Sequence, residues 1–101
     1  MLDTLQKESW QALLNQRFES QISASATGTE TIRFELIEVD GLGEKPGAQR
    51  EPYSLVFRGP ATPVLEQGIV PLIHPKLGEI DLFLVPIGPD AQGMCYEAVF
   101  T

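Results

Sequence analysis

The chain contains few of the residues that usually build chemical sites. It has one cysteine and one histidine among 101 residues. No internal disulfide can therefore form, and a zinc site is not expected because such sites usually need several Cys and His ligands. Lys and Arg number 7 against 14 Asp and Glu, which gives a formal net charge of −7 at pH 7. Because phosphate backbones and anionic lipid surfaces repel an acidic chain, we expect neither nucleic acid nor a membrane as a partner.

Long apolar runs are also lacking. No run approaches the ~20 residues of a membrane-spanning helix, and residues 1–8 lack the basic stretch followed by an apolar one that marks a secretory signal. Together with the single cysteine, this predicts a cytoplasmic protein. Hydrophobic residues make up 43% of the chain, which is enough for one packed core, so we expect a single domain over residues 1–101.

Short alternating segments make up most of what is present. Apolar and polar residues alternate in stretches bounded by Gly, Pro and Asp, as is typical of antiparallel strands. The strand-like segments are residues 17–23, 31–39, 53–58, 69–74, 80–87 and 95–100. Because no strand–helix–strand rhythm is present, the pattern predicts a mainly β fold. We expect a small antiparallel barrel or sandwich of about six strands with one short N-terminal helix.

The only helix is predicted at about residues 4–15. Trp10, Leu13 and Leu14 lie three and four residues apart and would form one apolar stripe. We expect this helix to cover an open end or face of the sheet, with Trp10 as a core anchor.

Two of the predicted strands carry distinctive features. Residues 80–87 are apolar at nearly every position, which predicts a central strand covered on both faces, with the helix over one side. Pro86 indicates an irregular end to this strand. Pro71 lies inside residues 69–74 and cannot donate to a ladder, so that strand should lie at an edge or carry a bulge.

A long loop is predicted at residues 40–52, where Gly and Pro are too dense for a helix or strand. Arg50 and Glu51 end this loop, and Tyr53 and Arg58 bracket the strand that follows. Because interfaces are enriched in Arg and Tyr, these four residues are candidates for an interaction site. The plainer interpretation, which we favour, is an internal ion pair that fixes the loop, for example between Glu51 and Arg58.

The single histidine, His74, is the last candidate interaction residue. One histidine is enough for a Ser-His-Asp triad, but no serine lies in a Gly-x-Ser-x-Gly context, and Ser54 lies inside a predicted strand. The Gly41-x-Gly43 pair lacks the third glycine of a dinucleotide fingerprint. Glu79 and Asp81 share a strand face and would form a solvated rim. We therefore expect no catalytic residue, no metal, no cofactor and no enzymatic activity.

Several runs resemble a bacterial family of domains of unknown function whose length matches this chain. They are residues 50–60, the His-Pro-x-Leu-Gly run at 74–78, residues 82–88, and the closing residues 96–100, and residues 5–18 also fit. Some members are encoded near phage-tail-like or tail-collar proteins, which implies an accessory or assembly role, and the family supplies no catalytic residue. Its pattern has a glycine before the first strand where this chain has Asn15-Gln16, which puts the end of the helix in doubt.

The leading hypothesis from the sequence is a non-enzymatic structural or protein-interaction domain. We expect a protein partner or self-association, through exposed strand edges or the long loop. The alternative is a small-ligand-binding β-barrel with Trp10, Tyr53 and His74 near its mouth. A third possibility is an enzyme that uses His74 and acidic neighbours.

Overall fold

A computed structural model describes residues 7–24, 28–41, 52–62 and 64–100. Its elements are α1 (Lys7–Gln11), β1 (Arg17–Ala24), β2 (Gly28–Gly41), β3 (Tyr53–Gly59), β4 (Gly68–His74), β5 (Gly78–Pro89) and β6 (Met94–Phe100). The strands form a closed barrel in the order β1-β2-β3-β6-β5-β4, and every neighbouring pair is antiparallel. The predicted mainly β fold is confirmed, and of the two architectures expected the barrel is the right one.

Side chains from alternate strand positions fill the barrel. In β5, for example, Ile80, Leu82 and Leu84 are buried while Glu79 and Asp81 face solvent, as the two-residue period of a strand requires. The largest side chains that are less than 2% exposed are Trp10, Phe18, Phe34, Leu36, Tyr53, Leu55, Phe57, Leu72, Leu84 and Tyr96. A small barrel of this kind has a packed core and not an open channel.

The helix is shorter than its sequence pattern predicts. It ends at Gln11, and residues 12–15 form a turn, while residues 4–6 of the prediction lie outside the described part. Asn15 adopts a left-handed conformation with φ of 69° and donates its backbone N–H to the carbonyl of Leu36. Asparagine tolerates this conformation better than most residues, so it ends the turn where glycine was expected. Leu14 is consequently 37% exposed and does not extend the apolar stripe.

The strand covered on both faces is β3, not β5. Phe83 and Ile87 in β5 are 53% and 52% exposed, so the expectation that residues 80–87 are buried on both sides is wrong. A closed barrel has one interior, and an outward side chain is covered only where its neighbours reach over it. In β3 the outward Ser54 and Val56 are 4% and 8% exposed. The helix lies mainly against β2, so it does not provide the cover expected for β5.

Both prolines act as expected on the strands that contain them. β4 pairs with β5 over its whole length, but its other edge meets β1 only at the pair Glu19 and Ile73. Pro71 therefore lies in the strand where the barrel closes most weakly. In β5 the register with β6 shifts between Pro86 and Gly88, where the φ of Gly88 is +124°, so the predicted irregular end is a bulge.

The predicted long loop lies mostly outside the described residues. Asp40 and Gly41 at its start still belong to β2, and residues 42–51 are not described. In the part of the chain that is described, no helix has the length and apolar character needed to cross a membrane.

Candidate functional site

The candidate residues identified from the sequence do not form one site. Arg50 and Glu51 lie outside the described residues. Tyr53 points into the barrel and Arg58 lies on its outer side, at opposite ends of β3. His74, at the end of β4, reaches the same interior as Tyr53. The residues must therefore be considered individually.

Tyr53 is a core residue that anchors the N-terminal helix. It is 1% exposed, and its hydroxyl accepts a hydrogen bond from Trp10 Nε1 at 2.9 Å. Its ring stacks on Phe100, with ring centroids 4.8 Å apart and planes at 15°. Buried Tyr and Trp usually satisfy their polar atoms in this way. The pair connects α1 to β3 across 43 residues of sequence.

His74 is buried, and both of its ring nitrogens are engaged. The backbone N–H of Lys76 donates to Nδ1 at 3.1 Å, so Nδ1 carries no proton, and Nε2 donates to Gln16 Oε1 at 2.7 Å. Burial and the nearby Lys76 lower the pKa of the imidazole. Its ring also packs on Phe18, with centroids 4.8 Å apart. A neutral ring held by an amide and a backbone group is arranged as a structural link and not as a general base.

Arg58 forms the strongest ion pair in the described part of the chain. Its Nε and one terminal nitrogen lie 2.8 and 2.7 Å from Asp90 Oδ2, and Glu35 is 3.9 Å away. The other oxygen of Asp90 accepts the backbone N–H groups of Gln92 and Gly93. These bonds, that of Arg58 first, lower the pKa of Asp90 to about 2. The residue expected to pair with Arg58, Glu51, is not described, so the partner that the structure gives to Arg58 is Asp90.

A groove of about 460 Å³ opens beside this ion pair, and we refer to it as the arginine groove. Residues 31–35 of β2 line one side, and residues 58–60 and Thr62 line the other, with Arg17 of β1 also contributing. Arg17, Arg33 and Arg58 therefore surround one depression in a chain whose net charge is −7. Sequence reasoning missed this site because its residues come from three separate segments.

An exposed apolar row crosses the outer surface of three neighbouring strands. It consists of Ile69 in β4, Phe83 in β5 and Val99 in β6, which are 70%, 53% and 54% exposed. Ile69 and Phe83 face each other directly across their strands. Val85 faces Glu97, so Phe83 comes level with Val99 two residues further along.

The sequence contained a signal for this row that the prediction did not use. Glu79 and Asp81 were correctly placed on one solvated face of β5. By the same two-residue period, Phe83 must lie on that face too. The apolar character of the whole segment hid this alternation.

Acidic side chains border the apolar row. Glu38, Asp40 and Glu97 come from β2 and β6 and lie on either side of β3. A hydrogen bond with Asp40, followed by burial and the charges of Asp40 and Glu97, raises the pKa of Glu38. Like charges held this close favour the protonated form of one of them.

The remaining groups that could bind a metal or act as a nucleophile are not arranged to do so in the described part of the chain. Among the residues described, no group of three or more His, Cys, Asp and Glu side chains is placed to hold a metal ion. Cys95 is 7% exposed, and burial is the main cause that raises the pKa of its thiol. A thiol with a raised pKa is a poor nucleophile.

Comparison with known proteins identifies the family without supplying an activity. No curated protein and no solved structure matches the chain. The model of one family, described as a domain of unknown function, DUF6916, matches residues 5–100. The chain therefore belongs to the DUF6916 family.

Proposed function

We propose that this domain is a non-enzymatic protein-interaction module and that the apolar row is a contact surface. The observation that carries the proposal is the position of Ile69, Phe83 and Val99. All three are large and apolar, more than half exposed, and side by side on adjacent strands. Single exposed apolar residues are ordinary on protein surfaces, but a contiguous group is typical of a surface that another molecule covers.

The surroundings of the row support the same proposal. Ile87 extends it along β5 with 52% of its surface exposed. Glu38, Asp40 and Glu97 border it with negative charge. An apolar centre with a charged rim is the usual composition of a protein interface. The rim favours partners that carry basic residues around their own apolar contact.

The states of His74 and Tyr53 support the non-enzymatic part of the proposal. Each is buried and hydrogen-bonded to a side chain from another element. Neither presents a free polar atom to a substrate in the way that a catalytic group must. The same contacts weaken the alternative of a ligand-binding barrel, whose mouth was expected to be formed by Trp10, Tyr53 and His74.

The setting that we propose is a larger assembly, with a protein partner or a second copy on the row. The resemblance to a family with members near phage-tail-like genes supports an accessory role in an assembly of that kind. Because the domain is small, contacts through one face would leave its other surfaces free for a second contact.

A comparison of two equally exposed side chains tests the proposal. Phe83 and Val64 are both 53% exposed, but Val64 lies between β3 and β4, outside the row. A photo-crosslinking residue at position 83 should give specific products in cells that express the chain natively, or a dimer in purified protein. The same residue at position 64 should give neither.

Sedimentation equilibrium provides the second measurement. If the occupant is a second copy, the mass should exceed 11.1 kDa and return to that value in Phe83→Thr but not in Val64→Thr. If the protein stays monomeric and position 83 crosslinks no more than position 64, the proposal is wrong.

A further inference from the structure

The edge of β2 is unpaired over half of its length. β2 pairs with β1 from Gly28 to Glu35, but it pairs with β3 only from Glu35 to Gly41. Within the described part of the chain, no strand and no backbone hydrogen bond reaches the β3 side of residues 28–34. An exposed edge of this length is a template for another strand.

The end of β3 is what leaves this edge open. β3 stops at Gly59, and Pro60 follows. Proline has no N–H to continue the ladder, so the chain leaves β2 at this point. A Cβ at Gly59 would lie 3.1 Å from the ring of Phe34, so the chain passes close to β2 just before it departs. The arginine groove lies between the open edge and this departing segment.

The backbone of β2 presents its polar groups to the groove. Leu36 hydrogen-bonds through both its N–H and its C=O to the chain at Asn15 and Gln16, on the β1 side. Because these groups alternate along a strand, those of Arg33 and Thr31 point to the opposite side, away from β1. Each of these two residues therefore offers one donor and one acceptor to the groove.

The arginines around the groove favour a partner segment that carries carboxylates. Arg58 is held by Asp90, but Arg33 meets Glu19 only at 3.4 Å, with side chains 70% and 52% exposed. Such a surface pair is weak and easily exchanged. Arg17 forms no ion pair with any described residue. Arg33 at the open edge and Arg17 across β2 are thus the two arginines available for carboxylates, in a groove that also contains Glu35.

We propose that the open edge of β2 binds an extended acidic segment of a partner protein by strand addition. The added strand would hydrogen-bond to Thr31 and Arg33, with an outward carboxylate opposite Arg33. Arg17, on the β1 side of β2, lines the same groove. Side chains opposite each other on adjacent strands lie about 4.5–5.5 Å apart, within reach of a charge-assisted contact. Alternate side chains of the added strand would point to the inner face of the sheet, on which Ile32 lies, so the segment should alternate acidic and apolar residues. This surface is separate from the apolar row and does not depend on its role.

Synthetic peptides provide the test. The probe is a labelled peptide that alternates Glu and Val, and its controls are a Lys–Val alternation and a peptide with the same Glu and Val residues in two blocks. Wild-type protein should bind the alternating acidic peptide at least about tenfold more tightly than either control, because the Lys–Val peptide loses the Arg–carboxylate contacts and the blocked peptide loses the alternation of outward acidic and inward apolar side chains.

Two charge reversals locate the binding. Arg33→Glu should weaken binding of the acidic peptide about tenfold or more, because it removes one charge-assisted contact and adds repulsion. Lys76→Glu makes the same change in net charge outside the groove and should leave binding within about twofold. Equal losses in both variants would reduce the effect to general electrostatic attraction and overturn the proposal.

Amide hydrogen exchange separates strand addition from any other mode. Bound peptide should slow the exchange of the Thr31 and Arg33 amides, while the already paired Phe34 and Ile32 amides should change little. Absence of binding, or binding without this protection, would overturn the proposal. Protection of Thr31 and Arg33 in the free protein, lost on dilution, would show that a second copy occupies the edge and would also overturn it.

Discussion

The outer surfaces of β1–β3 and of β4–β6 differ, although both enclose the same interior. On β1–β3 the outward positions carry an alternating ladder of charges, in which Arg17 faces Glu35 and Glu35 faces Arg58 across the strands. On β4–β6 the equivalent outward positions carry Ile69 and Phe83. Closing the barrel therefore does not dictate which side chains its outer surface carries, because one half carries charged pairs and the other carries exposed apolar side chains.

The contrast shows where to look for function. Charged cross-strand pairs give water-exposed strands modest stability and solubility, and they need no partner. Exposed apolar cross-strand pairs can also stabilise a sheet, but a contiguous group of them is typical of a surface that another molecule covers. In this domain the apolar interior stabilises the fold. The two outer faces differ in charge and apolar character, and therefore in the partners that they suit.

The largest expected effect comes from removing the anchor that the two faces share. Trp10→Ala should lower the free energy of unfolding by about 3–5 kcal/mol, because it empties a fully buried site and leaves the Tyr53 hydroxyl without this donor. Urea denaturation would measure it, and Leu14→Ala, in the turn that follows α1, should cost only about 0.5 kcal/mol. A small loss in Trp10→Ala would show that the helix is not needed to close the barrel.

A second substitution, in the turn between β5 and β6, should disturb the contact of that turn with β3 and with it the ion pair of Arg58. A Cβ at Gly93 would collide with the carbonyl oxygen of Gly59, whereas one at Gly68 meets open space. Gly93→Ala should therefore cost about 1–3 kcal/mol, and Gly68→Ala should be nearly neutral. Because the turn at Gly93 positions Asp90, crosslinking at Phe83 should persist in Gly93→Ala. Loss of crosslinking would show that the two faces are coupled.

A buried polar atom without a hydrogen-bond partner lies in the described interior beneath β1–β3. Ser20 is fully buried, and its hydroxyl has no hydrogen-bond partner in the described part of the chain. Ser20→Ala should raise the free energy of unfolding by up to about 1 kcal/mol, because an unsatisfied polar group is removed. Ser20→Asn adds polar atoms at the same place and should be destabilising. If Ser20→Ala is instead the less stable protein, the hydroxyl makes a bond that the structure does not show.

The smallest expected effect is a difference between Asp90 and Glu38 in how their contributions to stability change with pH. Asp90 has its pKa lowered from 3.8 to about 2, so its stabilising contribution is complete above 3.8 and is lost as pH falls toward 2. The difference in urea midpoint between wild type and Asp90→Asn should disappear over that range. Glu38 has its pKa raised above 4.5, so its protonation favours the folded state and its contribution should increase as pH falls. The same slope for Asp90→Asn and Glu38→Gln would contradict this assignment.

Much of the fold could be predicted from local patterns. The number and order of the strands followed from alternation and from Gly and Pro, because each is a property of a few consecutive residues. The bounds followed less well, since β2 and β5 extend two or three residues beyond the predicted ends on either side. Pro71 and Pro86 correctly indicated a weakly paired strand and an irregular end. The helix was predicted too long because Trp10, Leu13 and Leu14 fit a helical stripe, whereas residues 12–15 form a turn that ends at the left-handed Asn15.

The candidate sites could be predicted less well. Tyr53 and His74 belong to residue types that interfaces and active sites favour, but here they pack inside the barrel. The arginine groove depends on Arg17, Arg33 and Arg58 meeting across three strands. The pattern of a single segment cannot predict that these three arginines lie together, because their proximity depends on strand order and register.

The sequence by itself determined that this chain folds as a small β domain and that Trp10 anchors its helix. These conclusions depend on composition and on short-range periodicity. Tertiary structure alone decided that the barrel closes, that Asp90 holds Arg58, and that β3 leaves the edge of β2 open. The physical reason is that each of these depends on which distant strands become neighbours, and strand pairing is a property of the whole chain.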